Sequence, residues 1–543
     1  MGDCISVKSV AELLSLPTEG LESGTAAVVA GYYEPLDGGQ KTLYYQADCT
    51  LPDNGGTVHT PDSGVGRWLY RDSVGHYGLF GVLGTEQNAD EALEAMCADP
   101  QIKRIEARSD LNFVKRHKLY RSNITLDFQG HSVYTKGCEP SRTESPYDPF
   151  SAIFYFSGKK VGEPFELTLT ERWKELNDIY FVGDSSRFAV GEWYVIHCDK
   201  LKGGAEMELD KLLEVTEIID ETHVRLNYKN GWELKEGRVI TFWKCEPVRN
   251  VKVQNMRFYA TVGGLREGTA PLAFEFAVRC DIDHIYSQDN FWPLCIRRHN
   301  THFLVEACEL VNPCEVVIGG TGYLAQNLNS LYGCVRDCHV SNARHLNDFT
   351  ASAYCMVENC HGDGDWCGTY VTHGQYEHDL TYVGCSGLLS FANSGPTWGE
   401  SAKRITVMRH SASRVIAMTH VSDLTLIDVQ AYKREEAKDY RNEAYEFDTG
   451  TFFVNCDGLQ MRGCTAEGGI KFTNRSSRSR RRNLLDGCAF HQPAGYGTEV
   501  YTDTPEIERV DFINCDFYGC EAEEIKGIKS PKYINTEFHK EEE

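Results

Sequence analysis

A short phrase recurs through the second half of this chain: a few β-forming residues, a small or polar residue, a cysteine, then another small or polar residue. The copies are Ala307-Cys308-Glu309, Asp337-Cys338-His339, Asn359-Cys360-His361, Gly384-Cys385-Ser386, Gly463-Cys464-Thr465, Gly487-Cys488-Ala489 and Asn514-Cys515-Asp516. Cys338 to Cys360 is 22 residues, Cys360 to Cys385 is 25, and Cys464 to Cys488 is 24. Arg409-His410-Ser411 and Asp428-Val429-Gln430 continue the phrase with another residue in the cysteine place. A period of roughly 20–30 residues carried by short β-segments is the mark of a solenoid. One coil cannot bury its own inward face, whereas copies stacked about 4.8 Å apart bury it for one another. The cysteines then fall in line as small buried hydrophobes. The pattern predicts an all-β chain, a parallel β-helix with regular coils from residue 248.

The 21 cysteines are an odd number, which does not suit a fully paired disulfide framework. Free thiols fit a reducing place of synthesis such as a bacterial cytoplasm. No CxxC pair is present, so a zinc site of the usual spacing is not expected. No metal and no cofactor are assigned from the sequence, although a calcium loop at Gly362-Asp363-Gly364-Asp365 is an open alternative. A net charge of -24 argues against nucleic acid and anionic membranes as partners. The opening residues read as a short amphipathic helix without a cationic start and apolar run, so no signal peptide is expected. No stretch is long and apolar enough for a transmembrane helix. The location stays unknown on these grounds.

Residues 1–75 differ from the rest. Turn signals such as Asp37-Gly38-Gly39 and Asp53-Asn54-Gly55-Gly56 separate short strands, as in a small β-module. The remainder, 76–543, is assigned to the β-helix. It begins with a helix over Asn88–Cys97 and strands over Ile102–Ala107 and Ile124–Phe128. The stretch 164–243 breaks the rhythm and reads as an inserted antiparallel patch. Its strands are expected at Trp193–His197, Leu213–Ile218, His223–Leu226 and Val239–Trp243.

Two N-terminal phrases, YYEPLDGGQKTLYYQAD and DNGGTVHTPDSGVGRWLYR, resemble the module that opens many phage tailspike and pectate-lyase-like β-helix proteins. The next phrase, GLFGVLGTEQNADEALEAM, stands where that superfamily has a segment of the type FGAKGDGxxDDTxAL, with Gly81, Gly84, Asn88, Ala89 and Leu93 keeping its outline. The resemblance implies a right-handed parallel β-helix, commonly a homotrimer, acting on glycans. No anchoring extension is read before the module and no large domain after the coils, which leaves a free-standing bacterial enzyme as an alternative.

Polar residues with catalytic potential are densest from Arg344 to Glu400. Asp348 and His373 are 25 residues apart, one coil by the local count, and are expected to stack on neighbouring coils. Asp363 and Asp365 are two apart, so a strand points both to one face. With His378 and Asp379 these form the candidate catalytic set, and Arg344, His345, Trp366, Glu377 and Trp398 the candidate sugar-binding set. Hydrolysis of a glycoside asks for two carboxyl groups, about 5 Å apart for retention or roughly 6.5–9.5 Å for inversion. Elimination asks for a base beside a uronate and a cation to neutralise its carboxylate, which His345, His373, His378 and Arg344 could supply. The expected function is glycosidic cleavage of a polysaccharide or oligosaccharide, by hydrolysis ahead of elimination. A non-catalytic glycan-binding protein and a purely structural one are the alternatives. The run Arg475-Ser476-Ser477-Arg478-Ser479-Arg480-Arg481-Arg482 is read as an exposed loop rather than a nucleic-acid patch, and an anionic glycan is its alternative ligand.

Overall fold

The computed structural model describes residues 4–200, 207–362, 368–392, 402–434, 449–473, 479, 481–491, 507–525 and 528–540. Two compact units are present: 1–157 with 248–273 and 279–292, and 158–247 with 274–278 and 293–543.

The first unit opens with a five-stranded sheet, ordered Ile5–Val7, Ala26–Val29, Lys41–Gln46, Arg67–Tyr70, Val58–His59. Its hydrophobic core holds Val7, Leu13, Ala27, Val29, Leu43, Tyr45 and Trp68. A helix over Asp90–Ala98 follows, where the sequence places one. Parallel coils begin after it: Arg104–Glu106, Ile124–Asp127, Val251–Tyr259 and Asp281–Gln288 pair in that order.

The second unit contains the inserted antiparallel sheet and the regular coils. The sheet includes Trp193–Cys198, Asp210–Ile218, His223–Leu226 and Val239–Glu246. Its core of Trp173, Tyr180, Tyr194, Leu213, Val224, Tyr228 and Phe242 closes against Leu331 and Ala353 of the coils. The coils carry three parallel ladders. One runs through Cys295–Thr301, Tyr323–Leu328, His345–Thr350, Tyr370–Val371 and Leu389–Phe391. A second runs through Leu304–Glu306, Cys334–Arg336, Met356–Glu358 and His378–Val383. The third includes Glu309–Val311, His339–Ser341 and His361–Gly362. Register stacks Val305, Val335, Val357, Tyr382, Val407, Leu426 and Met461 in one inward column. This is the parallel β-helix that the repeat predicts.

Each repeated cysteine stands at the corner between the second and third ladders. Cys308, Cys338, Cys360, Cys385, Cys464, Cys488 and Cys515 are all buried. The thiols of Cys308, Cys338 and Cys360, and those of Cys464, Cys488 and Cys515, stand beside one another along the stack. Each thiol also donates back to the carbonyl two residues earlier, at 3.1 Å for Cys338 and 3.3 Å for Cys360. The residue before the cysteine turns the corner with positive φ: 54° at Asp337, 48° at Asn359, 65° at Gly384, 60° at Gly463 and 51° at Asn514. That left-handed conformation is easiest for Gly, Asn and Asp, which explains the residue type preceding the thiol. The polar corner residues also bond along the stack, as Asn359 Nδ2 does to Asp337 Oδ1 at 2.6 Å.

Burial pushes the Cys338 thiol well above its ordinary pKa and the Cys385 thiol up to about 12, so the reactive thiolate is scarce. Ellman titration of the native protein should modify the exposed Cys4 quickly and leave the seven corner thiols unreacted until denaturant is added. Three or more corner thiols reacting at the rate of Cys4 would contradict the inward stack. Twenty described cysteines are free, and none is in a disulfide.

Candidate functional site

The central strand of the candidate region is His345–Thr350, on which all six residues are buried. Asp348 is paired in register with Gln326 on the preceding coil and Val371 on the following one. The chain leaves the strand Tyr370–Val371 and turns back at once, which carries His373 over Asp348. His373 Nε2 lies 3.2 Å from Asp348 Oδ2. The Asp348 side chain is wholly inaccessible, whereas the His373 ring is 23% exposed. Thr350 donates its hydroxyl to Asp348 Oδ1 at 2.8 Å, and Gln326 Nε2 approaches Oδ2 at 3.4 Å. A buried carboxylate thus holds one nitrogen of a partly exposed imidazole and fixes its tautomer and orientation.

Glu377 fixes the turn that bears His373. Its carboxylate accepts the backbone N–H groups of His373 at 3.2 Å, Gly374 at 3.1 Å, Gln375 at 2.9 Å and Ala351 at 3.2 Å. Glu377 is fully buried, and burial raises its pKa. The buried Lys211 of the inserted sheet adds a cation from below, donating to the Ala351 carbonyl at 2.5 Å, with its pKa lowered by burial to about 8.

His378 and Asp379 form a second cluster that fastens the inserted sheet to the coils. His378 Nε2 meets the Tyr228 hydroxyl at 2.7 Å, and Nδ1 meets Asp379 Oδ2 at 2.7 Å. Gly231 passes so close that a Cβ there would fall 2.2 Å from the His378 ring. Asp379 receives Arg404 through Nε at 2.9 Å and Nη2 at 2.8 Å. Arg404 and Lys403 both reach Glu175, at 2.5 Å and 2.8 Å, and Lys403 lies over the Trp232 ring at 3.7 Å. Burial opposes ionisation of Asp379, but His378 and Arg404 outweigh it and hold the carboxyl down to about 2.

Arg344 is buried and donates to the carbonyls of Val316 and Val317 at 2.8 and 3.0 Å. His345 is buried, with Nδ1 against the Gly368 carbonyl and its ring edge-on to Tyr323 at 4.5 Å. The structure therefore joins Asp348 to His373 and, separately, His378 to Asp379. Asp363, Asp365, Trp366 and Trp398 lie outside the described residues, as do 475–478 and 480 of the arginine-rich run. Gln326 was within reach of the sequence, since it precedes Asp348 by 22 residues, one coil. Lys211, Tyr228 and Glu175 were not, because no spacing links the inserted sheet to a given coil.

Burial holds His378 and His410 neutral down to about 4, against an ordinary value near 6.5. With the folded value below the unfolded one, the unfolded chain binds more protons between those limits. The stability from keeping each ring neutral is complete above about pH 6.5 and is lost as pH falls toward 4, by about 3 kcal/mol per ring. Urea midpoints should fall steeply from pH 7 to pH 4.5. A His378→Asn variant should lose part of that slope, and an unchanged midpoint over the range would refute the assignment.

No curated protein sequence matches this chain. Residues 6–73 match the family model of the phage tail protein small four-stranded β-sheet domain. The Gp54 tailspike of Acinetobacter baumannii bacteriophage AP22 superposes with a TM-score of 0.51 at 13% identity, covering 86% of this chain and 76% of that one. The gp49 tailspike of Pseudomonas phage LKA1 superposes with a TM-score of 0.50 at 12% identity, covering 84% and 72%. The gp61 tailspike of Pseudomonas phage phi297 gives 0.49 at 12% identity, covering 80% and 66%, so this chain spans just under two thirds of that protein's length. The first two likenesses show a tailspike-like, right-handed parallel β-helix fold.

Proposed function

We propose that this protein is a polysaccharide depolymerase that cleaves glycosidic bonds by hydrolysis, with His373 moving the proton and Asp348 orienting it. The observation that carries the reading is the 3.2 Å contact between a fully buried carboxylate and a partly exposed imidazole on adjacent coils. His373 takes the proton of the attacking water as that water's oxygen bonds to the anomeric carbon. A second acid gives a proton to the departing sugar oxygen. On the strength of their alternate positions in the sequence, Asp363 and Asp365 are assigned that part. Glu377 is a positioning residue, holding the turn through four backbone N–H groups. The AP22 tailspike, whose fold this chain shares, was solved with a capsular saccharide, which supports a glycan as the substrate class. Hydrolysis is preferred over elimination because Arg344, His345 and His378 are buried and engaged within the protein. Incubation with a panel of bacterial capsular polysaccharides should release reducing ends without the ultraviolet absorbance of an unsaturated uronate. Both signals together would establish elimination, and binding without either would establish a non-catalytic glycan receptor.

The reading includes a homotrimer, supported by the resemblance of the N-terminal phrases. Light scattering should return about three times the chain mass of 61.2 kDa, and a monomer across a wide concentration range would remove that part.

A further inference from the structure

The first unit carries a hollow of about 750 Å³ far along the sequence from His373, lined by Glu86, Ser109, Asp110, His131, Tyr134 and Lys136 among others. Its volume falls within the roughly 300–1,000 Å³ of ordinary small-molecule sites. Three features give it a chemical character.

The first is an aromatic wall. Tyr134 ends the strand Ser132–Tyr134, in register with Asn112 on the preceding coil and Tyr259 on the following one. Its ring stacks on Tyr259 at 5.4 Å and 15°, and Tyr259 leans on Tyr286 at 6.0 Å. One face of Tyr134 is thus supported from behind. The other is turned toward the Asn112 coil, where the hollow lies, and the residue is 37% exposed. A supported ring with one open face presents a flat apolar surface at little entropic cost.

The second feature is a rim of paired donors and acceptors. Asp110 Oδ1 accepts the backbone N–H of Ser132 at 2.9 Å and faces His131 Nδ1 at 3.4 Å. The carboxylate is thereby fixed while its side chain stays 47% exposed. Glu86, Ser109 and Lys136 make no side-chain hydrogen bond or ion pair among the described residues, so their polar groups stand open to a ligand.

The third is charge. Two carboxylates against one ammonium leave the rim slightly negative at neutral pH, which turns away polyanions. A flat apolar wall beside fixed carboxylates, a hydroxyl and an ammonium suits a molecule with one C–H face and a rim of hydroxyls. A neutral pyranose has that form: its C–H face lies on Tyr134, and its hydroxyls donate to Asp110 and Glu86 and accept from Lys136. We infer that this hollow is a second, non-catalytic saccharide site for short neutral or N-acetylated oligosaccharides. It is independent of whether the coils of the second unit cleave anything.

The test uses the full chain with saturation-transfer NMR and six probes: the methyl glycosides of glucose, galactose and N-acetylglucosamine, with maltotetraose, cellotetraose and chitotetraose. At least one probe should receive saturation. Its affinity should fall about three- to tenfold in Tyr134→Ala, the range of one aromatic contact, and persist in Tyr134→Phe. Glu86→Ala and Lys136→Ala, both at exposed positions, should weaken it without lowering the melting temperature. His373→Ala should leave it unchanged, and Tyr134→Ala should leave the release of reducing ends from a soluble substrate unchanged. Saturation of no probe, saturation indifferent to Tyr134→Ala, or saturation lost in His373→Ala would each overturn the inference. Failure of cleavage alone would bear only on the site at His373.

Discussion

Replacing Asp348 with Asn, or His373 with Ala, should lower the release of reducing ends by roughly 10²–10⁴-fold, the span of one general acid–base contribution, with the fold retained. The Asn variant is the more telling. It keeps shape and volume, and its amide can still meet Thr350, but an amide presenting N–H to His373 Nε2 favours the wrong ring tautomer. The other ring nitrogen, Nδ1, would then already carry the proton and could not take one from the attacking water. Circular dichroism and the urea midpoint of each variant must stay near the wild type for the comparison to count. Glu377→Gln should act at one remove. Its amide oxygen can keep only two of the four backbone N–H groups, and its NH2 faces the other two, so the midpoint should drop while turnover falls less than in His373→Ala. Wild-type rates in both Asp348→Asn and His373→Ala would sink the assignment.

A change of the opposite kind is expected at Asp379. Removing its carboxylate in Asp379→Ala leaves Arg404 with Glu175 as its remaining carboxylate and the buried His378 without its Nδ1 partner. Breaking a largely buried pair in this way costs on the order of 3 kcal/mol, allowing for the quarter of each side chain that water still reaches. The loss should be visible as a lower urea midpoint. Hydrogen exchange should speed up first in the loops of the inserted region that bear Tyr228 and Glu175. If Asp379 were instead a reacting carboxyl, Asp379→Asn would abolish turnover with the midpoint unmoved. The two outcomes separate a fastening residue from a catalytic one.

The coils were legible because one corner repeats once per turn and its chemistry is local: an αL residue, then a thiol that bonds its own backbone. Local requirements leave local marks, so Asp337, Asn359, Gly384 and Asn514 show in the sequence as one residue class. Asp348 and His373 meet although the register offset there is 23 residues, Asp348 to Val371, and not 25: His373 lies two residues past its strand and its side chain reaches the carboxylate. The arithmetic failed at His378 and Asp379 for a physical reason. Asp379 has φ of 52°, so the alternation of faces that a strand would give is broken between it and its neighbours. What lies opposite them is the inserted sheet, whose contacts with the coils span separations such as the 150 residues between Tyr228 and His378. Nothing in a spacing can encode a meeting of that kind. The buried Arg344 shows another limit: a cation that serves backbone carbonyls and one that serves a substrate are written with the same letter.

The inserted sheet also has a consequence in time. Within the first unit, the strand Ile124–Asp127 takes Val251–Gln254 as its next neighbour, 127 residues later in the chain. At about 5–20 residues per second, a ribosome needs roughly 6–25 seconds to deliver that partner. Until then the nascent chain holds an open parallel edge with unpaired N–H and carbonyl groups, ready to accept any strand that drifts by. Asp127 ends that edge, so a charge stands at its tip during the wait.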